Sequence, residues 1–235
     1  MNPKADFKSL PLAARWAIVL FTVAGLGALL YTTALEPVLI SGRILLFLVI
    51  AALTARVKVN LFKGSTLSLL TSVVLLAIVR EGPAIAVLVG ISGVTIQTLF
   101  PSRKIVLHQL AFNVAMITLT VTASWLTYHA FAQASAVGTL SSEITATLLS
   151  SFMYFLGNSI SVSLIVALTR GMSLLHIWLH HFLFSAPSFL IAGLLSTRVM
   201  AALGCANVLL ASALLTSIAI PYYCSVYIAA ERNEA

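Results

Sequence analysis

The sequence predicts an all-α polytopic membrane bundle, with about eight transmembrane helices and one further helix at the membrane surface. Three observations carry this. The 235 residues are 60% hydrophobic and 8% charged, whereas soluble domains carry about 25% charged residues. Mean hydropathy is +1.08. Apolar runs of membrane-crossing length also recur along the chain, at 16–35, 38–55, 65–80, 82–100, 106–131, 144–169, 187–203 and 205–228. So apolar a chain has no surface to offer water, so the lipid bilayer is its expected solvent.

The first run starts after a short polar segment, 1–15, and lacks a small-residue cleavage site. It reads as a retained helix and not a signal peptide. The runs at 65–80 and 187–203 are short for a span, so six or seven crossings is the alternative count. No strand alternation, internal repeat or linker divides the chain, which points to a single membrane domain over 1–235. Between Arg170 and Pro187 the run "GMSLLHIWLHHFLFSAP" places Leu174, Leu175, Trp178, Leu179 and Phe182 at helical spacing, interrupted by histidines. It predicts an interfacial helix over 171–186 with Trp178 at headgroup level.

Loop charge predicts the orientation. With the N-terminus in the cytoplasm, Lys4, Lys8, Arg15, Arg56, Lys58, Lys63, Arg103, Lys104, Arg170 and Arg232 fall on that side, ten of the thirteen basic residues. Arg80 and Arg198 fall outside, and Arg43 lies within a span. Both termini, including a tail over 229–235, are therefore expected in the cytoplasm, across a bacterial inner membrane. The net charge of +7 comes from basic residues scattered between apolar runs, so no nucleic-acid partner is expected. Cys205 and Cys224 alone make neither a metal motif nor a disulfide framework.

Polar groups in a bilayer are costly, so they mark candidate sites. Glu36, Glu81 and Glu143 fall on the outer side with Arg80 and Arg198, and Arg43 is five residues into its span. A mixed cluster of this kind either pins helices together or lines a polar pocket; pinning is the more common case. Asn113 and Asn158 lie deep in consecutive antiparallel spans, where an amide needs a partner. They are candidates to bond each other, with Gln97 joining them. His176 and His180 are four residues apart on one helix face and form a weak metal candidate, extended by His181. Membrane desaturases need several such histidine boxes, and this chain has five histidines in all. The blander reading makes them polar residues at the headgroup boundary, and no cofactor is expected. No Ser/His/Asp set, paired carboxylates or phosphate-binding glycine loop is visible, so an enzyme is not expected.

Four stretches in order, "FKGSTLSLLTSVVLLAIVREGPAIAVLVG", "RKIVLHQLAFNVAMITLTVTAS", "YFLGNSISVSLIVALTRGMSLLHIWLHHFLFSAPSFLIAGLL" and "IPYYCSVYIAAER", resemble the multi-span N-terminal membrane domain of bacterial GGDEF and HD-GYP signalling proteins. The resemblance runs from about Ala34 to Arg232. Gly64, Ser68, Gly82, Pro83, Asn113, Asn158 and Trp178 fall on positions that recur in that family. It implies a sensory or regulatory role, with a signal leaving through the last helix to a cytosolic signalling protein. No GGDEF or HD-GYP output signature occurs in the sequence. The expectation is therefore either the membrane part of a longer protein or a stand-alone relative that works through a partner. A substrate-binding component of a small-molecule transporter and a structural subunit of a larger membrane complex are the alternatives.

Overall fold

The computed structural model describes residues 7–36, 41–62, 65–100, 106–134 and 140–203. In order these form α1 (Leu12–Leu35), α2 (Gly42–Thr54), β1 (Lys58–Phe62), β2 (Ser65–Ser68), α3 (Leu69–Arg80), α4 (Pro83–Leu99), α5 (Leu107–Ala134), α6 (Leu140–Arg170), α7 (Leu174–Ile177) and α8 (Ala186–Leu203). A short 3-10 turn, Phe7–Ser9, precedes α1. Helix dominates, as the composition requires of a chain that must satisfy its own backbone in lipid.

Among the described residues four helical stretches are long and apolar enough to cross a membrane: Leu12–Leu35, Leu107–Gln133, Ser142–Arg170 and Leu174–Ser196. Gly42–Thr54, Leu69–Arg80 and Pro83–Leu99 are shorter apolar helices. The apolar run at 205–228 lies outside the described residues.

Helix α3 is the centre of the bundle. Every residue from Leu69 to Ile78 is buried. A helix surrounded on all sides needs no polar face, and "LLTSVVLLAI" has none. At 1.5 Å per residue its 12 residues extend about 18 Å, too short to span a bilayer alone. It packs against α2, α4, α5, α6 and α8. The Thr71 hydroxyl and the Ser72 carbonyl serve the packing, while the buried Ser72 hydroxyl has no partner among the described residues. The Thr71 side chain hydrogen-bonds the Tyr154 hydroxyl on α6. The Ser72 carbonyl accepts from Ser196 Oγ on α8 at 3.0 Å.

The run at 65–80 is therefore not one helix. Its first four residues pair as β2 with β1 in an antiparallel hairpin, with Lys58 opposite Ser68, Val59 opposite Leu67 and Asn60 opposite Thr66. No strand is legible here in the sequence, because two-residue alternation lasts only from Lys58 to Leu61 and an apolar run then hides the switch from strand to helix.

Helix α5 packs against α1, α4 and α6. Helix α1 meets it through a narrow buried stripe, Ala14, Ile18, Gly25 and Thr32. A Cβ at Gly25 would stand 2.7 Å from the Ala115 Cα, so only glycine permits this approach. Leu12, Trp16, Leu20, Val23 and Leu30 of α1 are exposed and form an apolar outer face. The α5–α6 contact is set by Ser150 Oγ, which donates to the Ser124 carbonyl, and by Gly157 against the Thr120 side chain.

The segment expected as a separate interfacial helix runs on into α8. After α7 the backbone widens into a π turn, Trp178–Phe182, then tightens into a 3-10 turn, Leu183–Ser185, and enters α8 without a break. Trp178 points back to α6, where its indole N–H donates to Ser159 Oγ at 2.9 Å and its ring lies 6.1 Å from that of Phe155.

Candidate functional site: a charged rim

The chain reverses sharply between α3 and α4 through Arg80-Glu81-Gly82-Pro83. Gly82 has φ +81° and ψ 178°, a region open in practice only to glycine. Pro83 then opens α4, where a missing N–H costs nothing. This corner presents two charges at the end of the buried helix. It meets the end of α1 at Glu36 and the start of α2 at Arg43.

Glu81 forms an ion pair with Arg43 of α2. The arginine side chain is 56% exposed and the glutamate 9%. The cation sits in the first turn of its helix, where the helix dipole disfavours it. The carboxylate of Glu81 offsets that. Glu36, one residue past α1, lays its carboxylate against Gly82, where a Cβ would collide with Oε2 and the carboxyl carbon. Tyr128, near the end of α5, lies within Coulombic reach of both Arg80 and Glu143, the latter in the first turn of α6. Five helices, α1, α2, α3, α5 and α6, thus bring Glu36, Arg43, Arg80, Glu81, Tyr128 and Glu143 to one end of the bundle. A rim of both signs has donors for an anion and acceptors for a cation, and it also ties α2 to α3.

The amide candidates lie apart from this rim and from each other. Asn113 Nδ2 donates to Thr98 Oγ1 of α4 at 3.0 Å. It does not pair with Asn158. The reason is register: Gly157 meets Thr120, so Asn158 is level with position 119, and Asn113 lies six residues, about 9 Å, further along α5. Among the described residues Asn158 has no hydrogen-bond partner. Gln97 donates to the Ala55 carbonyl, which satisfies an orphan acceptor at the end of α2. Thr98, Tyr128 and the Thr71–Tyr154 pair were not marked by the sequence. A threonine or tyrosine in an apolar run carries no charge to single it out.

His176 and His180 have ring centroids 4.4 Å apart. His129 stacks on Trp125 and bonds Gln133, and His108 rests against Phe7. Among the described residues no group of three or more His, Cys, Asp or Glu side chains is placed to hold a metal ion. No protein-family model, curated protein or solved structure matches this chain.

Proposed function

We propose that this protein is a membrane-embedded sensory or regulatory module, in which occupancy of the charged rim is passed through the bundle to a cytosolic partner. One observation carries the reading: α3 joins two unlike ends. At one end it carries Glu81, paired with Arg43 and next to the Gly82–Glu36 contact. At the other it is continuous with the β1–β2 hairpin. A buried helix packed on five neighbours moves as a unit with them, so a charge change at the rim has a mechanical route to the hairpin. Arg56 and Lys58 at the hairpin end, with Lys8 just before α1 and Arg170 at the end of α6, favour that end as the cytoplasmic one. On this reading the chain lies in a bacterial inner membrane with both termini inside, and the full count of spans is about eight.

The test is to isolate the full chain from its native membrane in mild detergent and identify what accompanies it by mass spectrometry. Recovery of a cyclase, phosphohydrolase or kinase, reduced when Arg43 is changed to Gln, supports the proposal. Recovery of an ATPase pair with a coupling subunit would move the assignment to transport. A partner set indifferent to the rim substitution would remove the rim from the signal path.

A further inference from the structure

We propose that His176 and His180 form a surface site for a divalent transition-metal ion of the Zn²⁺, Ni²⁺ or Cu²⁺ class. This goes beyond the sensory reading and does not depend on it. Residues four apart on a helix share a face. Here the two rings come within 4.4 Å, centroid to centroid, with their planes tilted by 47°. Tilted rings let a nitrogen from each converge on one point, which a parallel stack does not allow. Imidazole nitrogen is the ligand these late first-row ions favour, at about 2.0–2.1 Å for zinc.

The local backbone supports the same reading. The turn from Trp178 to Phe182 winds as a π helix, a rare conformation found often at functional sites. Its sequence, Trp-Leu-His-His-Phe, holds no proline or glycine to force it. The turn is anchored from below: Ile177 is buried, and the Trp178 indole is bonded to Ser159 of α6. His176 and His180 look the other way and are exposed, as is His181 beside them. A fixed inner side and two outward-facing imidazoles near the start of the Leu174–Ser196 stretch make a preorganised pair of ligands, and at the membrane surface water can complete the shell. His129 and His108 differ. The His129 ring is engaged with Trp125 and Gln133, and that of His108 with Phe7.

The experiment uses the full chain, purified in neutral detergent, free of any polyhistidine tag and stripped with a chelator. Calorimetric titration with Zn²⁺ and with Ni²⁺ is expected to show one saturable event. His176→Ala and His180→Ala should each weaken it about tenfold or more, the scale on which metal sites respond to lost support. His129→Ala and His108→Ala should leave it unchanged. Cu²⁺ at one equivalent should show nitrogen hyperfine coupling from two imidazoles, falling to one in either single variant. Both side chains are exposed, so wild-type elution and helix content are required of each variant, and His176→Gln and His180→Gln repeat the result with less loss of volume. No saturable binding, binding that survives both substitutions, or binding lost with His129 instead would overturn the proposal.

Discussion

Arg43 at the start of α2 and Glu81 at the end of α3 form an ion pair whose two halves differ in environment: the arginine is 56% exposed and the glutamate 9%. The pair ties a peripheral helix to the buried one. The asymmetry decides what each deletion costs. Removing the arginine strands a carboxylate that is almost out of water, which is the expensive case. Removing the glutamate leaves a guanidinium that still reaches solvent.

Arg43→Gln should therefore destabilise the protein more than Glu81→Gln, by about 1–3 kcal/mol against less than about 1 kcal/mol. Denaturant unfolding of both variants in one detergent measures the difference. The double variant should cost less than the two single costs added, because the groups are in direct contact. Equal single costs would show that the burial of Glu81 does not matter.

Gly82→Ala should cost about 1–3 kcal/mol, because φ +81° with ψ 178° is open in practice only to glycine. A Cβ there also meets the Glu36 carboxylate, but that group is the far end of a flexible side chain and can swing away. The cost should thus persist in a Glu36→Ala background. If Glu36→Ala restored full stability, the collision and not the backbone would be the cause.

These two sites show what the sequence made legible. The break between the apolar runs at 65–80 and 82–100 put a boundary near Glu81, and charges in an apolar chain are few enough that Glu36, Arg43 and Glu81 stood out and were found to gather at one end. The long runs that became α1, α5 and α6 were equally plain. The hairpin was hidden, because an apolar run reads alike whether its first four residues are strand or helix. The partner of Asn113 was also hidden. That choice depends on how α4, α5 and α6 slide past one another, and a glycine against a threonine fixes it, which no periodicity displays.

Gly25 and Gly27, two residues apart on α1, should respond in opposite ways to alanine. At Gly25 the new methyl would stand 2.7 Å from the backbone of Ala115, which cannot yield as a side chain tip can. Gly25→Ala should force α1 away from α5 and cost about 1–3 kcal/mol. Nothing lies within 4 Å of a Cβ at Gly27. There the better helix propensity of alanine should stabilise by about 0.5–1 kcal/mol. Thermal unfolding of the two variants side by side is the check. Matching losses at both positions would mean that α1 does not pack on α5 through this stripe.

The Asn113–Thr98 bond joins α5 to α4, and it offers a measure of what an amide contributes inside this bundle. Thr98 Oγ1 already donates to the Val94 carbonyl at 2.8 Å, so its lone pair is free to accept from Asn113 Nδ2. Thr98→Val keeps the shape, removes both bonds and strands the amide donor. Asn113→Leu removes the donor and leaves the threonine satisfied through its own helix. Thr98→Val should then be the costlier single change, and it should become nearly harmless once Asn113 is leucine. The coupling energy from the double-variant cycle should be about 0.5–2 kcal/mol, the range of hydrogen bonds between membrane helices. Asn158, level with position 119 and without a partner among the described residues, is the internal control. Its change to leucine should show no coupling to Asn113, and a coupling as large as that of Thr98 would mean that the two amides meet after all.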